Sequence, residues 1–176
     1  IISSNTLGSG AFIETIDSMS VITLEKCALV NSSLEGSRTG GLIGWTAGYN
    51  NEDDGPVKTY VTIKDCTVEG NTITGTGTTG GIIGLAGNNA WTYHFIENVT
   101  VTKNIITSNN SSNKGVASIV GTANVGEVTI TNYQANENTV NWTTDDGSST
   151  PNEKVYGRLA FLETGKLIID EVDITE

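Results

Sequence analysis

Five stretches of the chain carry the same short alternation of apolar and polar positions. They span residues 23–34 (TLEKCALVNSSL), 62–73 (TIKDCTVEGNTI), 95–106 (FIENVTVTKNII), 129–140 (TITNYQANENTV) and 168–176 (IIDEVDITE). They align without internal gaps, and their columns agree chemically. One apolar column holds Leu24, Ile63, Ile96, Ile130 and Ile169. The next holds Cys27, Cys66, Val99, Tyr133 and Val172, and a third Leu29, Val68, Val101, Ala135 and Ile174. Leu34, Ile73, Ile106 and Val140 make a fourth. The positions between them, such as Lys64, Asp65 and Thr67, are mostly polar, as a strand with one buried face requires.

A second element follows each stretch. Gly40-Gly41-Leu42-Ile43-Gly44 matches Gly80-Gly81-Ile82-Ile83-Gly84. Ala117-Ser118-Ile119-Val120-Gly121 and Gly157-Arg158-Leu159-Ala160-Phe161 are looser copies, and Gly10-Ala11-Phe12-Ile13 is the remnant of an earlier one. The spacing drifts while the apolar frame stays fixed, which predicts constant strands joined by variable corners. The expected fold is all-β: one domain over 1–176, a single-stranded parallel β-helix (β-solenoid) of about five coils. One such coil cannot bury its apolar row alone, whereas stacking at about 4.8 Å pairs every backbone and closes the core. Like residues then pile into ladders. Ser32, Asn71, Asn104 and Asn138 form one, at which stacked amides can satisfy backbone groups at a corner. An antiparallel sandwich also spaces short strands regularly, but it does not demand matching columns across five copies.

The pairing of Gly-Gly-apolar-apolar-Gly with a following Val-Thr-Ile-Lys-Asp-Cys-Thr-Val-Glu-Gly-Asn strand resembles the GLUG repeat of large bacterial surface and secreted proteins. The likeness runs best over 40–73 and 80–106 and fades after residue 121. It implies a right-handed parallel β-helix used as a surface or adhesive module, and it carries no catalytic residues.

Composition narrows the partners. Val, Ile and Thr number 58 against 18 Ala and Leu, a balance that suits a pleated sheet and not a helical bundle. The net charge of −11 leaves no basic face for nucleic acid and disfavours an anionic membrane surface. No apolar run approaches the roughly 20 residues of a membrane-spanning helix. A Thr- and Asn-rich, acidic surface points to an extracellular or cell-surface location. The start at Ile1, without a basic leader, reads as a mature product or an excised fragment.

Candidate chemistry is sparse. Cys27 and Cys66 share a column on adjacent coils and read as buried thiols, with a disulfide as the alternative. His94 is the single histidine and has no Ser or Cys nucleophile nearby in sequence. The column Glu25, Lys64, Glu97, Thr131 and Asp170 mixes charge types and reads as a solvated face, not as the paired carboxyls of a hydrolase. The chain is therefore expected to be non-catalytic. Glu52, Asp53 and Asp54, and separately Asp145 and Asp146, stand in oxygen-rich loops that could hold calcium, although a solvated turn is the simpler reading. Trp45, Tyr49 and Tyr60, with Trp91 and Tyr93, lie in loops leaving the glycine element and form a candidate sugar-stacking set. Sequons begin at Asn31, Asn98, Asn109, Asn110 and Asn141.

The last stretch is strand-like to its final residue and is expected to leave an unpaired edge. The leading expectation is an extracellular structural or adhesive module that meets other surface proteins or glycans. The alternatives are a filament subunit joining copies of itself end to end, and a carbohydrate-binding module using the aromatic loops.

Overall fold

The computed structural model describes residues 8–17, 20–47, 49–51, 55–87, 92–109, 115–142, 155–156 and 159–173. All regular structure among them is β, and most of it lies in parallel sheets to which successive segments each contribute one strand. The longest sheet runs in the order Val21–Glu25, Thr59–Lys64, Thr92–Thr102, Glu127–Asn136, Lys166–Ile169. A second takes Ser33–Gly36, Thr72–Gly75, Ile105–Ser108 and Thr139–Trp142. A third pairs Ser9–Gly10, Thr39–Gly40, Thr79–Gly80 and Val116–Ala117. The fourth holds Ile13–Ile16, Ile43–Thr46, Ile83–Ala86, Val120–Ala123 and Ala160–Leu162.

Register follows the sequence columns. Leu24 stands opposite Ile63, Ile63 opposite Ile96, Ile96 opposite Ile130, and Ile130 opposite Ile169. Leu29, Val68, Val101 and Ala135 align in the same way, as do Leu34, Ile73, Ile106 and Val140. The cause is the period of two. In Thr59–Lys64 the residues Thr59, Val61 and Ile63 face inward, while Tyr60, Thr62 and Lys64 face outward. A one-residue slip would turn the whole inner row to water, so burial pins the pairing. Ile63, Ile73, Ile82, Ile83, Ile96, Ile106, Ile119 and Ile130 are fully buried.

Two columns of left-handed residues make the bends. Lys26, Asp65, Asn98 and Asn132 have φ of 55°, 54°, 52° and 46°, and Asn31, Gly70, Lys103 and Glu137 have 48°, 68°, 58° and 57°. For residues other than glycine this conformation is unfavourable by roughly 1–2 kcal/mol. Backbone bonds to the next segment hold it in place, among them Lys26 N–H to Lys64 O at 3.0 Å and Asn31 N–H to Glu69 O at 3.0 Å. The glycine element has a different cause, close approach. A Cβ on Gly81 would meet Ser118 O at 2.0 Å and Val101 Cγ1 at 2.7 Å, so the backbones leave no space for one.

Asparagine closes the corner between the two longer walls. Asn71 Oδ1 accepts from Ser32 N–H at 2.8 Å, Asn104 Oδ1 from Asn71 N–H at 2.9 Å, and Asn138 Oδ1 from Asn104 N–H at 3.0 Å. Each amide also donates backwards, from Nδ2 to Leu29 O, Val68 O and Val101 O at 2.9, 2.9 and 2.7 Å.

One expectation needs correction. The fifth stretch does not run on parallel to the others. Asp170 and Glu171 both take positive φ, 46° and 68°, and the chain reverses there. Ile168 then pairs with Asp173 and Ile169 with Val172 in antiparallel sense. Consecutive positive φ at two central residues is the geometry of a tight primed hairpin turn. Val172 therefore leaves the Cys27 column, and Ile174 lies outside the described residues. The fourth sheet also ends in an antiparallel strand, Val155–Tyr156.

The ladder carries a ranked prediction. Asn104→Ala strips bonds from Asn71, Val68 and Asn138 together and should cost about 3 kcal/mol. Asn138→Ala, at the half-buried end of the row, should cost less. Urea denaturation midpoints of the two variants check the order.

Candidate functional site

The longest sheet carries three of the exposed bulky apolar groups, Val21, Val30 and Phe95, while Phe12 and Ile105 lie elsewhere. Because Val61 and Ile63 point inward, their neighbours form outward rows. One row runs Val21, Tyr60, Tyr93, Glu127, Lys166, and the next Thr23, Thr62, Phe95, Thr129, Ile168. Val21 is 78 % exposed and Phe95 41 %. Tyr60 and Tyr93 stack with centroids 5.3 Å apart and planes 18° from parallel, as in-register strands about 4.8 Å apart dictate. The Lys58 ammonium lies 5.9 Å from the centre of the Tyr93 ring. Lower on the row, Lys166 pairs with Glu127 at 3.4 Å, and on the next outward row Lys64 pairs with Glu97 at 3.5 Å.

The aromatic residues expected to hold a sugar do not all meet. Tyr60 and Tyr93 come together on this face. Trp45 lies on the fourth sheet, opposite Thr15 and Leu85, with the Arg38 guanidinium 4.8 Å from its ring centre. Its indole N–H is buried without a hydrogen-bond partner among the described residues. Trp91 and the side chain of Tyr49 lie outside the described residues. A sugar ring stacks on an open aromatic face. Tyr60 and Tyr93 turn one face each toward the other, and Trp45 holds a cation over its ring.

The acidic candidates Glu52, Asp53, Asp54, Asp145 and Asp146 also lie outside the described residues. Among the described residues, no group of three or more His, Cys, Asp or Glu is placed to hold a metal ion. Cys27 and Cys66 are free thiols. Asp65, Asn98 and Asn132 are joined by side-chain hydrogen bonds at the first bend, Asn98 donating to Asp65 and Asn132 donating to Asn98.

Sequence reasoning passed over Val21 and Phe95. A signal was present: Phe95 and Ile168 are the bulky apolar residues in a column otherwise made of Thr23, Thr62 and Thr129, and that column faces water.

His94 is on the opposite side of the same strand, 1 % exposed. Its Nδ1 is 3.3 Å from the Glu127 carbonyl, which can only accept, so Nδ1 carries the proton. Nε2 then accepts from the Thr46 hydroxyl at 2.7 Å, and Thr46 Oγ1 accepts from Gly87 N–H at 2.9 Å. The imidazole thus ties the longest sheet to the fourth. Burial lowers its pKa from 6.5 to about 4, against a smaller upward pull from the Glu127 carbonyl. The unfolded chain therefore binds a proton that the folded one refuses. Stability should be unaffected by this group above pH 6.5, fall as pH drops from 6.5 to about 4, and lose nothing further below that. The loss amounts to about 3 kcal/mol. Unfolding free energies of the parent and His94→Gln across that window test the point, since the variant should lack this component of the slope.

No family model matches the chain, and no curated protein or solved structure matches it either.

Proposed function

We propose that the chain is a right-handed parallel β-solenoid of about five coils, of the kind the GLUG-like motif implies. On this reading it serves as a non-catalytic structural or adhesive module of a secreted or cell-surface protein. The observation that carries the reading is the in-register piling of like residues across four parallel sheets, closed by the Asn71, Asn104 and Asn138 ladder. Backbone groups paired on both sides along a continuous core make a stiff support. Outward positions are free of that duty, so a binding surface can be written on them.

The adhesive surface is the outer face of the longest sheet, and its partner is a surface protein. Val21, Val30 and Phe95 are the exposed bulky apolar groups of this sheet, and isolated aliphatic and aromatic anchors beside charged rims suit protein side chains. A glycan is the second reading, supported by Tyr60 and Tyr93 standing together there. The filament reading needs parallel edges at both ends of the stack. Val155–Tyr156 and Val172–Asp173 run antiparallel at one end, which favours a monomer.

Binding of the immobilised chain to panels of extracellular-matrix proteins and glycans tests this. The expected result is retention by a protein, weakened about tenfold or more by Phe95→Asp. Equal affinity of parent and variant removes this face from the proposal, and signals confined to glycans select the second reading. Light scattering should give a single species near 18.5 kDa, whereas mass growing with concentration would restore the filament.

A further inference from the structure

We propose that Cys27 and Cys66 form a paired modification site, at which a low-molecular-weight disulfide such as oxidised glutathione is exchanged into an intramolecular Cys27–Cys66 bond. The two residues are in register on adjacent strands. Glu25 lies opposite Lys64 and Ala28 opposite Thr67, which brackets Cys27 against Cys66, and Thr67 N–H donates to Cys27 O at 2.9 Å. Both side chains belong to one inward row, continued by Val99 and Tyr133. The Cys66 thiol leans toward the edge, 3.6 Å from Leu24 O on the neighbouring segment and 3.2 Å from Lys64 O.

Exposure divides the roles. Cys27 is half-buried at the edge of the stack, while Cys66 is 1 % exposed beneath it. Only Cys27 can be reached by a dissolved reagent. Parallel strands hold paired Cα atoms about 4.8 Å apart, inside the disulfide range, with Cβ atoms slightly farther apart than a bridge prefers. Closing that gap requires one strand to shift by under an ångström. The strands Val21–Glu25 and Ala28–Val30 are paired on one side only among the described residues, so they are the ones free to move. Ile22 and Leu24 are also only half-buried, unlike Val61 and Ile63 beneath them. The bond would staple the least buried strand of the core to its neighbour.

The exchange balances in two steps. The Cys27 thiolate attacks one sulfur of the glutathione disulfide, forming a mixed disulfide and releasing one glutathione thiolate. Cys66 then gives up its proton, and its sulfur attacks that of Cys27. The mixed disulfide breaks and a second glutathione leaves. Two protein thiols are oxidised, one glutathione disulfide is reduced, and the two thiol protons end on the two glutathiones.

The experiment incubates the folded chain with oxidised glutathione, then blocks residual thiols with a maleimide in denaturant and weighs the product. The expected parent carries neither adduct and is two hydrogens lighter than the reduced chain. Cys66→Val should keep one glutathione, on Cys27, and Cys27→Val should take none while folded. Valine suits both variants because Val99 fills the same row. A parent that retains glutathione, takes two maleimides or dimerises through a disulfide overturns the proposal. So does Cys27→Val reacting as fast as Cys66→Val.

Discussion

The parallel sheets of the described residues answer to one requirement: an inward side chain must fit those directly above and below it. Parallel strands stacked in register place chemically equivalent positions about 4.8 Å apart, and they do so in every wall at once. Isoleucine on isoleucine fills that spacing along the Ile63, Ile96 and Ile130 column. Glycine at 81 leaves the room that the facing carbonyl of Ser118 takes. Asparagine on asparagine supplies both a donor and an acceptor to the segment before it. A residue that suits one rung but not its neighbours is excluded by two contacts, so the tolerance of each column is narrow on the inside and wide on the outside.

That asymmetry explains what could be read beforehand. The pairing of Leu24 with Ile63, of Leu29 with Val68 and of Gly40 with Gly80 was legible because inner columns repeat. The hydrogen-bonded row from Ser32 to Asn138 was legible for the same reason. The reversal at Asp170 and Glu171 was not. A strand that continues and a strand that folds back share the same alternation, and neither residue is a glycine or an asparagine that would announce positive φ. The bends at Lys26, Asp65 and Lys103 were hidden likewise, since their conformation is imposed by bonds to the next segment.

The outward face was harder still. Tyr60 and Tyr93 drew notice as aromatic residues, but their separation from Trp45 depends on which wall each occupies, and short-range sequence does not state that. Phe95 went unremarked, and its parity places it outside, beside Tyr93 and in line with Thr62. His94 looked like an isolated polar residue. Its Thr46 partner is 48 positions away, and only the meeting of two sheets brings them within 2.7 Å.

The asparagine row has a direction. Each side-chain oxygen accepts from the segment before it, so Asn71 serves residue 32 and Asn104 serves 71. The Nδ2 groups of Asn71 and Asn104 donate both back to a carbonyl and forward to the next Oδ1. Among the described residues, the last rung of the row, Asn138, is therefore the one with an amide group left to satisfy elsewhere, and a further asparagine-bearing segment would meet an acceptor and a donor already in place.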